Sequence, residues 1–232
     1  MALTAQDFKA ALREHATPAQ AKTAAWFFKT APGQYGEGDQ FIGVRVPQIR
    51  AVCKQFKELP LTEITKLLQS SIHEHRLAAV ILLNGQYAQQ PDQVLKLYLQ
   101  ALDDGHINNW DIVDTSCEHI VGAHVRLHGG NLLDKLAGKD LWHKRVAMVS
   151  TFAWLKNGEP GPTIEIAEKL LHDKHDLLQK AVGWMLREMG KRVDEALLTD
   201  FLDQHAHEMP RTQLRYAVER LPQHRRKHYM NV

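Results

Sequence analysis

The chain has 232 residues, of which 44% are hydrophobic and 24% are charged, as is ordinary for a soluble globular protein. Its formal net charge of +2 is too small to indicate a polyanionic partner by itself. The longest purely apolar run, residues 77–83, is far shorter than a membrane span. The first residues lack a basic region and a long apolar core, and two cysteines make no disulfide framework. We therefore expect reduced thiols, no secretory signal, no membrane contact and a cytoplasmic location.

The first half-hundred residues predict two helices and one long loop. The first helix covers residues 4–14, with Thr4 as its N-cap. The second begins at Thr17-Pro18, because a capping residue followed by proline is typical of a helix start, and it runs to about Thr30. Residues 31–40 are rich in glycine but lack the Gly-Lys-Ser/Thr of a phosphate-binding loop, so we interpret them as a connector.

Pro47 opens the next predicted helix, in which apolar residues fall at helical spacing. From there, short breaks rich in glycine and proline separate helical patterns, and no two-residue alternation of strand type is found. The pattern predicts an all-α chain of about eleven to thirteen helices in antiparallel pairs.

An internal period organises these helices. Segments that start at Arg145, Lys180 and Arg215 lie 35 residues apart, and each has a basic residue followed by small apolar ones. A similar segment starts at Arg76, 69 residues before Arg145. Recurrence at this spacing predicts a single-domain curved solenoid of HEAT-like or ARM-like repeats over residues 1–232.

The repeat expected near position 111 departs from this pattern. Asp111 stands where the other repeats have a base, and Asp114 stands where they have an apolar or small residue. Trp110 lies one helical turn before Asp114 and shares its face. A carboxylate in an apolar position is paired, neutral or functional. The pair is therefore either a core tryptophan with a structural acid, or a reactive carboxylate beside an aromatic wall.

The basic residues of the repeats also leave two interpretations open. Equivalent positions of a curved array line one surface, so Arg76, Arg145, Lys180 and Arg215 could form a basic stripe that grips phosphate. Alternatively, they hold carbonyls of neighbouring helices or pair with acids across repeats. The segment from Arg211 onward has six Lys/Arg against one acid and is either a phosphate contact or a solvated terminus.

The fourteen histidines and the cysteines predict no metal or nucleophile site. His73 and His75 lie on different faces of a helix, unlike the metal-binding His-Glu-x-x-His arrangement. His172 and His175 could share a face, but no third ligand has a suitable spacing. Cys117 is interpreted as a small core residue rather than a partner of His119.

At these residues the sequence resembles the HEAT-like-repeat alkylpurine DNA glycosylases of the bacterial AlkD type. The likeness covers nearly the whole chain and is strongest in four segments, residues 41–47, 110–114, 142–145 and 179–188. It implies that Asp114 is the catalytic carboxylate, that Trp110 and Trp184 are aromatic walls beside the damaged nucleotide, and that Arg145 grips its phosphate. We expect both tryptophans to be partly exposed across a groove, with Arg145 and Arg187 on a concave surface.

The resemblance also implies an extended set of DNA contacts, with some departures. Asn109 precedes Trp110 where many relatives carry a second tryptophan, Arg45 stands where the family can carry an uncharged amide, and Phe27 stands where a relative has tyrosine. The DNA contacts predicted beyond the central site are Phe27, Arg45, Lys180, Arg187, Lys191 and Arg215.

The function implied is hydrolysis of the N-glycosidic bond of cationic N3- or N7-alkylated purines in duplex DNA, without cofactor or metal, by a monomer. Such purines are good leaving groups, so one carboxylate that stabilises an oxocarbenium-like sugar suffices. A non-catalytic helical-repeat module that binds damaged or branched DNA is the alternative. A repeat protein that binds RNA or another protein is a third possibility.

Overall fold

The computed structural model describes residues 3–231, and Met1, Ala2 and Val232 lie outside it. The first two belong to the N-terminal segment in which no secretory signal is expected. The described chain is helical without a strand, and an isolated bridge joins Gln40 to Ile72. The all-α prediction is confirmed. The helices are α1 Ala5–Arg13, α2 Pro18–Phe27, α3 Val46–Gln55, α4 Leu61–Leu68, α5 His73–Gln86, α6 Pro91–Asp103, α7 Trp110–Cys117, α8 Ala123–His128, α9 Leu132–Ala137, α10 Leu141–Ser150, α11 Phe152–Leu155, α12 Gly161–Lys169, α13 Asp176–Arg192, α14 Glu195–His205, α15 Arg211–Ala217 and α16 Gln223–Met230, with a π-helical turn at Glu118–Gly122.

The helix starts agree closely with the sequence. Thr4 caps α1, accepting from the amide of Asp7 while the Asp7 carboxylate accepts from the amide of Thr4. The described chain has more helices than the eleven to thirteen predicted, since some predicted helices are divided. At Thr151, between α10 and α11, the hydroxyl donates to the carbonyl of Met148, a local bond that competes with the helical ladder.

The described residues form two compact units, one that ends at Ser116 and one that begins at Cys117. The prediction of a single domain over residues 1–232 stays a prediction. None of the described helices is both long and apolar enough to cross a membrane.

The first unit is built around α5, which is buried from His73 to Val80 and packs against α3 and α4. The buried carboxylate of Glu74 accepts hydrogen bonds from the amides of Ile42, Gly43 and Val44, at 3.1, 2.7 and 3.3 Å. A carboxylate that accepts several backbone amides is well satisfied despite its burial. Glu74 therefore fixes the segment before α3, which has no regular secondary structure of its own.

The second unit is built around α13, which packs against α10, α14 and α15. Gly183 allows the close approach of α15, because a Cβ there would lie 2.3 Å from the carbonyl oxygen of Gln213. Small residues at such crossings set how near two helices can lie.

The repeat positions support the predicted period. The four repeats that begin with a base all start on helices, and the fourth residue of each, Ala79, Met148, Gly183 or Val218, is buried. Asp114, at the equivalent position on α7, is only partly buried. The repeat that carries Asp114 is thus the one whose apolar position is replaced by an accessible acid.

We predict opposite stability changes for two Gly→Ala substitutions in helices. Gly183→Ala places a methyl group against backbone that cannot easily move, and overpacking of this kind costs about 1–3 kcal/mol. Gly85→Ala, in α5, meets no atom within 4 Å and should stabilise by about 0.5–1 kcal/mol. Urea unfolding of the two variants and the parent protein measures both changes. A Gly183→Ala variant as stable as the parent would contradict the close crossing of α13 and α15.

Candidate nucleic-acid interface

Helix α7 presents Trp110 and Asp114 on its accessible face. Both side chains are partly exposed, whereas Ile112, Val113 and Ser116 on the opposite face are buried. The Ser116 hydroxyl donates to the carbonyl of Ile112 at 2.6 Å, which satisfies it within the core. The packing of this inner face leaves the tryptophan and the carboxylate one turn apart beside solvent.

Aromatic side chains of α2 and its C-terminal end orient Trp110. Its ring stacks on Phe28 with centroids 5.5 Å apart and an interplanar angle of 29°, and it meets the edge of Phe27 at 6.0 Å. Aromatic pairs of this geometry contribute about 0.5–1.5 kcal/mol beyond their burial. The partial exposure predicted for Trp110 is confirmed, and Phe27 is its direct neighbour.

A buried network of charges lies beneath these rings. His73 Nε2 lies 2.8 Å from the carboxylate of Asp111, and His73 Nδ1 lies 3.1 Å from Asp39. Asp39 also accepts from Arg76 at 2.6 Å and from Asn108 at 2.9 Å. The sequence analysis did not foresee this network, although the unusual acid Asp111 and the adjacent histidines were both recognised.

The network holds His73 as an imidazolium. Burial lowers the pKa of His73, but hydrogen bonds and charge from Asp111 and Asp39 outweigh this effect and raise the pKa to about 9. Burial raises the pKa of Asp39, whereas its bonds to His73, Arg76 and Asn108 dominate and lower it. Both ring nitrogens of His73 thus donate to carboxylates, and this arrangement links residues 39, 73 and 111.

The second interpretation of the repeat bases, in which they hold carbonyls of neighbouring helices or pair with acids, describes two of the four. Arg76 and Arg145 are only 3% and 5% exposed. Arg76 donates to the carbonyl of Ser70 at 2.7 Å as well as to Asp39, and Arg145 donates to the carbonyl of Leu177 at 2.5 Å. These bases hold neighbouring helices, because a buried guanidinium needs such acceptors. The phosphate contact assigned to Arg145 stays a prediction.

A different set of predicted residues comes together on α13. Lys180, Trp184, Arg187 and Lys191 follow at intervals of four, three and four residues, which places them along one face. Each is partly or fully exposed, while most of the helix between Leu177 and Met189 is buried. We call these four residues the α13 face. The partial exposure predicted for Trp184 is confirmed.

The bases of the α13 face differ in their partners. Lys180 pairs with Asp176 at 2.8 Å, and Arg187 pairs with Glu219. Lys191 is exposed and has no ion-pair partner among residues 3–231. The same holds for Arg215 on α15, the helix that packs against α13. Lys191 and Arg215 are thus directly accessible to an anion, whereas Arg187 would have to leave its carboxylate partner before it could bind a phosphate.

Trp184 has a neighbour that the sequence analysis missed. The ring of Phe152 lies 6.2 Å from Trp184, and it is flanked by Lys156 at 5.0 Å and Arg192 at 4.6 Å. Cations over an aromatic face attract it electrostatically. Phe152 and Lys156 lie one helical turn apart in the sequence, and this spacing was the signal that could have revealed their contact.

The remaining predicted contacts lie on the surface of their units. Phe27 and Arg45 are exposed and line one cavity of about 390 Å³ in the first unit. Within the C-terminal basic segment, Arg225 pairs with Glu195 and Arg211 donates to the carbonyl of Met230. The four other bases of this segment are exposed without an ion-pair partner in the described chain: Arg215, Arg220, Arg226 and Lys227.

The cysteines and histidines show no sign of metal chemistry in the described residues. No group of three or more His, Cys, Asp or Glu could hold a metal ion between residues 3 and 231. Cys53 and Cys117 are buried and form no disulfide in the described chain, and burial raises the pKa of Cys53 to about 12. The interpretation of Cys117 as a core residue is confirmed.

Comparison with known proteins identifies the family. A family model described as "DNA alkylation repair enzyme" matches residues 8–221. The chain belongs to this family. A solved structure titled "Predicted DNA alkylation repair enzyme from Enterococcus faecalis" has a TM-score of 0.73 and 19% identity, over 90% of this chain and 98% of that one. This likeness confirms the predicted helical-repeat fold, while no curated protein matches the chain.

Membership of the family gives the protein a partner. A DNA alkylation repair enzyme acts on damaged DNA, so an enzymatic role in alkylation-damage repair and DNA as partner follow from the family. The α13 face, with one aromatic group among three basic groups, has a composition that suits contact with a nucleic-acid backbone and its bases.

His73 should make the stability of this repair enzyme fall at alkaline pH. Its pKa is raised from 6.5 to about 9 on folding, so its contribution is complete below pH 6.5 and is lost as pH rises through 9. The loss is on the order of 3 kcal/mol. Denaturant unfolding of the parent and of His73→Gln across pH 6–10 measures it, and the variant should lack this slope.

His75→Gln is the matched control, because burial first, then Lys9, Arg13 and Arg76, lower the pKa of His75 from 6.5 to about 4. Its effect is therefore confined to acid, where the parent loses stability as pH falls from 6.5 to 4. An alkaline slope that His73→Gln retains would contradict the proposed imidazolium.

Arg187 and Glu219 should affect DNA affinity in opposite directions. Glu219→Gln removes the closer of the two acids beside Arg187, the other being Glu188 at 3.7 Å, so duplex affinity should rise about two- to five-fold. Arg187→Ala should weaken binding to all sequences and reduce the salt slope by about one. Fluorescence anisotropy over a salt series measures both effects.

Glu195→Gln is the control for net charge, because Glu195 is exposed and pairs with Arg225 on other helices. An equal gain in affinity for Glu195→Gln and Glu219→Gln would assign the effect to overall charge. Release of Arg187 would then not be its cause.

Proposed function

We propose that the protein is a DNA glycosylase that hydrolyses the N-glycosidic bond of cationic N3- or N7-alkylated purines in duplex DNA. The observation that carries this proposal is the accessible Asp114. It replaces the buried apolar residue of the other repeats and stands one turn from the partly exposed Trp110. If Asp114 had only a structural role, the partly exposed tryptophan one turn away would have no evident purpose.

The chemistry needs only one carboxylate. An alkylated purine with a positive ring leaves without prior protonation, so a general acid is dispensable. Bond cleavage leaves positive charge on the sugar, and a fixed anion stabilises that charge more in the transition state than in the ground state. The same carboxylate can orient the water that attacks the sugar carbon. We assign these two roles to Asp114.

Trp110 supplies an aromatic wall for the cationic nucleotide. Its stacking on Phe28 and its contact with Phe27 limit the orientations that the indole can take. An ordered ring loses less conformational entropy when it binds, and its face attracts cations by about 0.5–2 kcal/mol. The second wall assigned to Trp184 stays part of the proposal.

Phosphate contacts are assigned to the α13 face and to Arg215. Lys191 and Arg215 are exposed without acidic partners in the described chain, which favours binding of a polyanion. Arg145 is more enclosed, and its bond to Leu177 suits it to hold the start of α13. Its proposed contact with phosphate stays part of the proposal.

A non-catalytic module that binds damaged or branched DNA is the second candidate. It would share the exposed bases and aromatics, but a phosphate-binding surface is weakened by a central anion such as Asp114. An RNA- or protein-binding array is the third. Loss of affinity that is log-linear in salt separates nucleic-acid partners from protein partners.

Asp114→Asn tests the chemical assignment. The amide keeps the shape of the side chain but removes its charge, so DNA affinity should be retained or slightly increased. Loss of a preorganised charge contact costs about 10²–10³ in rate, and excision should slow by at least that factor. Single-turnover release of 7-methylguanine from methylated duplex DNA gives the rate.

Asp104→Asn is the matched control, because Asp104 is an exposed carboxylate of the same unit beyond α6. It should release the base at the parental rate. Equal rates for Asp114→Asn and the parent would defeat the catalytic assignment. Binding without release by the parent would favour the non-catalytic module.

A further inference from the structure

A cavity in the first unit is not used by the proposed reaction. It has a volume of about 390 Å³ and lies among α2, the segment before α3, and the start of α5. This volume falls in the range of small-molecule sites, which are mostly apolar with a few polar groups. We call it the α2–α3 cavity.

Aromatic rings dominate its walls, but only some have a free face. Phe28 and Phe41 stack on each other at 5.3 Å, and both lie within 5 Å of the His73 ring. Phe27 and Trp26 are instead 53% and 82% exposed. Exposed large aromatics beside a concave surface are typical of binding sites. The open rings offer a flat ligand a stacking surface above an apolar interior.

The charges of the cavity select for an anionic attachment. Its two carboxylates are already satisfied, since Glu74 accepts three backbone amides and Asp111 pairs with the His73 imidazolium. Arg45 also lines the cavity and has no ion-pair partner among the described residues. Lys22, one turn before Trp26 on α2, is exposed as well. The uncompensated charge around this cavity is therefore positive.

We infer that the α2–α3 cavity binds an unstacked base of the DNA, with the flanking phosphate on Arg45. Stacking of bases on aromatic side chains, combined with nearby cations, is how unpaired nucleic acid is generally held. Asp111 forms part of the cavity wall and directly follows Trp110, so the site adjoins α7. The inference rests on the proposed function only for DNA as the partner, and it requires no excision.

The probe is an undamaged duplex with a single unpaired adenine, compared with the same duplex fully paired. The parent protein should bind the bulged duplex at least about five-fold more tightly, given the usual effect of stacking one base. Trp26→Ala removes an open ring of the cavity wall, and Ala24→Phe keeps every ring but fills the cavity that Ala24 lines. Both variants should lose this preference while they keep their affinity for the paired duplex within about two-fold.

Leu127→Ala is the matched control. Leu127 is also an exposed apolar residue, at 75%, but it belongs to the second unit. It should leave the preference unchanged, and thermal unfolding of all three variants checks that they are folded. Equal binding of both duplexes by the parent would overturn the inference. So would a preference that Trp26→Ala and Ala24→Phe retain, because it would then arise from easier bending of bulged DNA.

Two further outcomes distinguish this inference from other readings. If the parent dimerises in sedimentation experiments and Trp26→Ala abolishes the dimer, the cavity belongs to a second copy and the inference fails. Release of 7-methylguanine is measured in parallel. Excision without a bulge preference defeats the cavity assignment alone, whereas a cavity-dependent preference without excision defeats the glycosylase assignment alone.

Discussion

The imidazolium of His73 is the interaction on which the first unit depends. It joins the loop that contains Asp39, the start of α5 and the first turn of α7 through two charged hydrogen bonds. Removal of one partner from such a buried pair costs about 3–5 kcal/mol, because a charge is left uncompensated. With Arg76 as a second cation, two carboxylates face two positive groups. The network therefore balances its charge, and it fixes where α7 begins.

This constraint explains why Trp110 and Asp114 are accessible. Asp111 holds the first turn of α7 toward the network, while Ile112 and Val113 fill the core. Because these contacts on two sides prevent α7 from rotating about its axis, the face with Trp110 and Asp114 stays exposed to solvent. The α13 face arises similarly, from a helix buried along most of its circumference. Both surfaces result from packing, so their side chains are ordered without a ligand.

Much of the fold could be predicted from the sequence because helix signals are local. The capping box at Thr4, the proline that begins α2 and the 35-residue period each depend on neighbouring residues. The partial exposure of Trp110 and Trp184 was expected from the resemblance to a known family. These predictions needed no knowledge of contacts between distant segments.

What failed depended on such contacts. The period placed Arg145 among equivalent bases, but it could not show that the guanidinium turns to the carbonyl of Leu177. The glycine-rich segment seemed only a connector, yet its Asp39 neutralises His73 and Arg76. Phe152 was missed because its role depends on three side chains that converge on one ring. The partner of a charge is a tertiary property, which a repeat pattern leaves open.

The same network also bears on which substrates the proposed reaction could accept. Asp111 is the carboxylate nearest to Asp114 along α7, and it would be the natural candidate for a general acid. Its Oδ2 accepts from His73 at 2.8 Å and its Oδ1 accepts from the amide of Ile112 at 2.9 Å. Both oxygens of Asp111 are thus already engaged by donors of the protein itself, so neither is available to a leaving base. Neutral bases need protonation to leave, so an α7 that offers no acid favours bases that already carry a positive charge. The preference for cationic purines in this proposal therefore depends on the pairing of Asp111 with His73 as much as on Asp114 itself.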